Sequence, residues 1–157
     1  MGDSEKLIAA RRRLLRECAS GVALEVNVVF TDARATKAAL ELAGRIARDL
    51  NARFWILAPL VVPHRIPLEQ PPVSPDHVQQ QILSALAGVT SENEIRVQLC
   101  VCRDDYECLR ELLPPGSLVF VGGRSSWIGS RDRRLEKSLR TLGHDVVFVK
   151  QTRRRDA

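Results

Sequence analysis

Leu118-Val119-Phe120-Val121-Gly122-Gly123-Arg124-Ser125-Ser126-Trp127-Ile128-Gly129-Ser130-Arg131 is the stretch that decides how this chain is read. Four apolar residues run into paired glycines, a short polar loop follows, and a second Gly-Ser opens a basic helical segment. An α/β protein presents backbone N–H groups to a phosphate in this way, from a glycine turn and a helix N-terminus. Strand, glycine turn and helix also describe a plain tight connection. The motif therefore defines a candidate site and leaves open whether an anion fills it.

Outward from this stretch, strand and helix patterns alternate. Val22–Phe30 is rich in branched residues and ends in Thr31-Asp32, which predicts a buried first strand. Residues 35–50 place Ala39, Leu40, Ala43, Ile46, Ala47 and Leu50 on one helix face. Phe54–Val62 is a second apolar strand, in which Pro59 either sits where its missing N–H is harmless or shortens the run. Five prolines between 63 and 75 exclude helix and ladder, leaving a surface loop that could act as a lid. Asp76 is the expected N-cap of a helix reaching Ala87, with Gly88 as its stop.

Glu94–Cys102 alternates polar and apolar residues before turning apolar, the pattern of a half-exposed edge strand. Asp104-Asp105 opens a helix to Leu113, the carboxylates suiting its positive end, and Pro114-Pro115-Gly116 ends it. Paired aspartates can also hold Mg²⁺, but capping is the simpler role. Ser117–Val121 is the fourth strand. A helix from Arg131 to Leu142, with Ser130 as N-cap and Gly143 as stop, then leads to a last strand at 146–149. Residues 4–19 form a further helix with Leu7, Ile8, Leu14, Leu15 and Cys18 roughly on one side, suited to docking on its own domain, on a membrane surface or on a partner.

Five strands linked by helical crossovers require a parallel sheet, because each right-handed crossover returns the chain in the same direction. The expected fold is a doubly wound α/β domain over 22–150, with an N-terminal amphipathic helix at 1–21 and a basic tail at 151–157. In such sheets ligands lie beyond the carboxyl ends of the strands, where the strand order reverses.

Composition fits a single soluble domain. The 157 residues are 45% hydrophobic and 27% charged, and no apolar run approaches the ~20 residues needed to span a bilayer. The first twenty are too charged for a signal peptide, so a cytoplasmic location is expected. The net charge of +5 is unevenly placed: residues 124–157 carry ten basic side chains against four acidic ones. Such a field favours phosphate-bearing ligands or nucleic acid, or it is a solvated helix face with a tail.

Cys18, Cys100, Cys102 and Cys108 lack metal-finger spacing and read as small buried hydrophobes, although Cys100 and Cys102 share a strand face. His64 and His77 have no ligand companions and read as surface residues. No metal site is expected. Nor is there a nucleophile elbow, a catalytic carboxylate pair or a Walker A lysine, so no enzymatic activity is expected beyond slow incidental ATP hydrolysis.

The element order resembles that of the universal stress protein family over residues 22–150. The matching points are Thr36-Lys37-Ala38-Ala39-Leu40-Glu41-Leu42-Ala43 after the first strand, Ala52-Arg53-Phe54 into the second, Val119-Phe120-Val121-Gly122-Gly123-Arg124, and the closing Val146–Val149. The resemblance implies strand order 3-2-1-4-5, a switch point between the first and fourth strands, and a homodimer formed through the last strand. ATP-binding members carry Gly-x2-Gly-x9-Gly-Ser/Thr after the fourth strand and an Asp ending the first. Here Ser125 occupies the second glycine position, Gly129-Ser130 arrives after three residues instead of nine, and Thr31 falls at the Asp position with Asp32 one place later.

A loop six residues shorter cannot follow the same path around a triphosphate. The reading is a non-catalytic regulatory or interaction domain with no cofactor. The alternative is a nucleotide or smaller phosphate (ATP, AMP or another anion) held by N–H groups of Gly123 and Ser130, hydroxyls of Ser125 and Ser126, and charge from Arg124 and Arg131. Gly122 and Gly129 would allow close approach, Asp32 would accept a ribose hydroxyl, and Trp127 would stack on a base. Nucleic-acid binding through the basic C-terminal third is a lesser alternative.

Overall fold

Residues 2–87, 89, 93–124 and 131–151 are described by a computed structural model. The chain forms α1 (Gly2–Ala19), β1 (Leu24–Val29), α2 (Ala33–Ile46), β2 (Ala52–Val61), α3 (Pro75–Leu86), β3 (Ile95–Cys102), α4 (Asp105–Leu112), β4 (Leu118–Arg124), α5 (Arg131–Thr141) and β5 (Asp145–Gln151). All strand pairs are parallel and the order is β3-β2-β1-β4-β5. The doubly wound α/β fold is therefore the one expected, with the switch point between β1 and β4.

Strand alternation divides the core into two layers. Val26 and Val28 of β1, Phe54 and Ile56 of β2, and Leu118 and Phe120 of β4 pack on one face against Leu14 of α1, Leu40 and Ala43 of α2 and Ile82 of α3. Val29, Leu57, Val119, Val121 and Phe148 point the other way, onto Leu109 of α4 and Leu135 and Leu139 of α5. Both faces are covered, which is why residues 54–62 and 118–121 read as unbroken apolar runs rather than alternating ones; β1 interposes exposed Glu25 and buried Asn27, whose amide donates to the Leu118 carbonyl at 3.2 Å.

Pro59 lies inside β2, and the ladder explains why it is tolerated. Phe54 and Val62 donate their N–H groups to Glu94 and Cys102, so even-numbered residues turn to β3, whereas the Leu57 carbonyl accepts from Phe30 on the β1 side. The β1–β2 register ends at Val29 opposite Leu57. Pro59 thus turns toward β1 just past the point where that ladder stops, and no bond is lost.

Two terminators differ in outcome. Gly143 takes φ +93° after α5, and the following His144 N–H reaches back to the Leu139 carbonyl at 3.2 Å, a left-handed stop that glycine allows at little cost. The N-cap of α3 is Ser74, not Asp76: Pro75 occupies the first helical position, where its missing N–H and fixed φ suit the helix, and Asp76 lies in the first turn. The expected stop at Gly88 lies outside the described residues.

The N-terminal helix belongs to the domain. Leu14 is fully buried and Ala10 is 4% exposed within the larger core layer. Arg11 donates to the Ile46 carbonyl at 2.6 Å and the Arg48 carbonyl at 3.1 Å, satisfying the carbonyl end of α2. Arg13 pairs with Glu17 at 3.1 Å and Asp145 at 2.6 Å and donates to the Gly116 carbonyl.

Beside this contact, buried His144 accepts at Nδ1 from the Ser117 N–H at 3.1 Å. Burial, aided by the Arg13 charge and opposed by Asp145, holds its pKa below the usual 6.5. The neutral ring is favoured in the fold, so its contribution is complete above pH 6.5. That contribution is lost as the pH falls through the lower folded-state value. Denaturant midpoints for the wild-type chain should drop over this window more steeply than those of His144→Gln. Equal slopes would exclude His144 as the source.

Candidate functional site

The ends of β1 and β4 meet at the carboxyl rim. The Thr31 hydroxyl donates to the Gly122 carbonyl at 2.8 Å, and the Thr31 N–H donates to the hydroxyl of buried Thr36 at 3.1 Å. Asp32 is the N-cap of α2, one carboxylate oxygen accepting from the Ala35 N–H at 2.8 Å. The side chains that were expected to face a ligand across the cleft are thus engaged in joining β1, α2 and β4.

The paired glycines are strand, not loop, and this corrects the sequence reading. β4 continues to Arg124, with Gly122, Gly123 and Arg124 opposite Val149, Lys150 and Gln151 of β5. Both glycines are buried. A Cβ on Gly122 would lie 2.2 Å from the Ala35 carbonyl oxygen and 2.7 Å from its carbon, so glycine here lets the first turn of α2 rest directly on β4. The Asp145 N–H donates to Ser117, which sets odd-numbered β4 residues toward β5. Gly123 accordingly turns its backbone to the ladder instead of presenting an N–H to an anion.

Ser125, Ser126, Trp127, Gly129 and Ser130 lie outside the described residues. The backbone of Arg124 ends β4, and that of Arg131 opens α5. The structure therefore brings together Thr31, Asp32 and Gly122, and places Gly123 in the sheet.

Other sequence candidates resolve into packing roles. Asp104 caps α4, accepting from the Tyr106 N–H at 3.0 Å. Exposed His77 shares a 3.3 Å hydrogen bond with Gln81. Among the described residues no group of three His, Cys, Asp or Glu side chains is arranged to hold a metal ion, and no helix is long and apolar enough to cross a membrane.

Sequence reasoning missed Arg103. Its guanidinium donates to the carbonyls of Val62, Pro63 and Ile66, fastening the start of the Pro-rich loop to the end of β3. A lone arginine after an edge strand carries no signal of this role. In α5, Glu136 is 7% exposed and pairs with Arg133 at 3.2 Å and Arg140 at 3.5 Å, while Arg133 stacks 4.1 Å over the Phe148 ring. Part of the basic field is therefore neutralised internally.

If Asp32 acts as a cap, Asp32→Ala should cost about 1 kcal/mol in a denaturant melt, and Asp32→Ser should recover most of it. An Asp32→Ala chain as stable as wild type would return the carboxylate to the candidate ligand set.

Comparison with known proteins yields no similarity on which to build: no family model, curated protein or solved structure matches the chain.

Proposed function

We propose that this chain is a universal-stress-protein-like regulatory or interaction domain that catalyses no reaction and does not bind ATP in the way of the ATP-binding members. Strand order β3-β2-β1-β4-β5 supports the kinship. The observation that supports the functional reading is the packing at the ends of β1 and β4. Thr31 is bonded to Gly122, Ala35 rests on Gly122, and Gly123 lies in the β5 ladder, so these three site residues are engaged by the protein's own backbone.

Among the described residues β5 is the outermost strand on its side of the sheet, and on this reading the protein acts as a homodimer joined through that strand. The four free cysteines suit the reducing cytoplasm.

One set of measurements tests the reading. Thermal melts with ATP, ADP or AMP should superimpose on the ligand-free melt. A nucleotide at 100 times its dissociation constant would add about 2.7 kcal/mol, a rise of roughly 5–11 °C for a domain of this size. A rise of that order would overturn the proposal. Sedimentation at two protein concentrations should show a dimer, and a monomer at both removes the edge-strand contact.

A further inference from the structure

The helix α1 buries one side and leaves the other open. Ala10 and Leu14 enter the core, whereas Ile8 and Leu15 remain 53% and 45% exposed, and Ala9, Arg12, Arg16 and Ala19 lie beside them at the surface. Positions 8, 12, 15 and 19 recur in steps of four and three, so they form one stripe along the helix. Ala9, Arg12, Leu15 and Arg16 border an open depression of about 490 Å³, which leaves room for an apolar side chain from outside.

The four arginines of α1 divide in the same way. Arg11 and Arg13 are committed to the domain, Arg11 on the carbonyls of Ile46 and Arg48, and Arg13 on Glu17, Asp145 and the Gly116 carbonyl. Arg12 and Arg16 are exposed and, among the described residues, meet no acceptor. One turn apart, they repel each other, and a carboxylate brought between them would relieve that repulsion. Glu5, also exposed, lies at the N-terminal end of the stripe, away from both.

We propose that this outward face of α1 docks an acidic amphipathic helix of a partner protein, with apolar side chains seated on Ile8, Ala9 and Leu15 and carboxylates reaching Arg12 and Arg16. The stripe has the spacing of a helix seam and carries unpaired positive charge, so its complement is helical, apolar and negative. A second copy is a poor occupant, because a two-fold pairing that sets Ile8 against Leu15 brings the two Arg12 guanidiniums together. Anionic bilayers are held by clusters of about four to eight cations, and two of the arginines on α1 are engaged within the fold. The proposal rests on the interaction half of the reading above and not on the β1–β4 rim. A melt raised by ATP would sink the nucleotide-free reading and leave this surface standing.

The test titrates the full chain into a fluorescein-labelled peptide of about 21 residues, three heptads with Leu at a and d and Glu at e and g, whose own carboxylates oppose self-pairing. Anisotropy should rise to saturation. Arg12→Glu combined with Arg16→Glu should weaken binding by about tenfold, the loss of two surface ion pairs, and should transfer the preference to a peptide with Lys at e and g. Leu15→Glu should weaken binding at least as much. These positions are exposed, so each variant should melt with wild type. The proposal fails if the Glu peptide shows no saturable binding, if wild type takes the Lys peptide equally well, or if charge reversal leaves binding unchanged. It also fails if another occupant claims the face. Phosphatidylserine-containing vesicles that carry down wild type but not Leu15→Glu would make it a lipid site, and a dimer that Leu15→Glu splits in sedimentation would give it to a second copy.

Discussion

Gly122→Ala lowers the unfolding midpoint by roughly 6–12 °C, an effect larger than a single methyl group normally exerts. The added Cβ meets the Ala35 carbonyl oxygen at 2.2 Å and its carbon at 2.7 Å, and both belong to backbone that no rotamer change can move aside. Either α2 lifts from the sheet or β4 shifts away from β1, and each loosens the 2.8 Å bond from Thr31 to the Gly122 carbonyl. Overpacking of this kind costs about 1–3 kcal/mol. Taken near 3 kcal/mol with the lost hydrogen bond, it gives the stated shift at 2–4 °C per kcal/mol.

Gly44→Ala is the matched control. Gly44 lies in α2 with nothing within 4 Å of a Cβ, so the same change there should raise stability by about 0.5–1 kcal/mol. Opposite signs at the two glycines establish close approach as the cause. An unchanged midpoint for Gly122→Ala would mean that α2 and β4 do not touch there.

Leu14→Ala is expected to cost about 2–5 kcal/mol, the range for emptying a fully buried leucine site, while melting remains a single transition. Leu14 has no exposed surface and packs in the same layer as Leu40 and Phe120, so removing its side chain opens a void in the core of the whole domain. Leu15, one residue on and 45% exposed, should tolerate alanine within about 0.5 kcal/mol. If Leu14→Ala were equally mild, α1 would be an appendage rather than part of the domain.

Much of the architecture was legible because burial on both faces writes itself plainly into β2 and β4, because β1 is rich in branched residues, and because α2 repeats its apolar residues at helical spacing. The parallel sheet followed from the crossovers. The site was read less well, for reasons that lie in particular residues. Gly122 and Gly123 look alike in sequence whether they open a phosphate turn or allow a helix to rest on a strand. Only the position of Ala35 separates the two, and Ala35 is 87 residues away in the chain.

Asp32 presents a similar ambiguity, since a carboxylate after a strand serves equally as ribose acceptor and helix cap. The Ala35 N–H decides for the cap. Asp76 misled for a local reason: Pro75 favours the first helical position, which moves the cap back to Ser74.

The clamp made by Arg13 also governs the order of events during synthesis. Arg13 is made before its partner Asp145, which lies 132 residues later. At translation speeds of 5–20 residues per second the Arg13 clamp waits roughly 7–26 s for Asp145 to be made, whereas the Ile46 and Arg48 carbonyls that Arg11 holds arrive far sooner. Until then α1 can rest only on earlier elements such as α2 and β1, so the nascent chain is most prone to aggregate in the interval before the last strand completes the layer over Leu14.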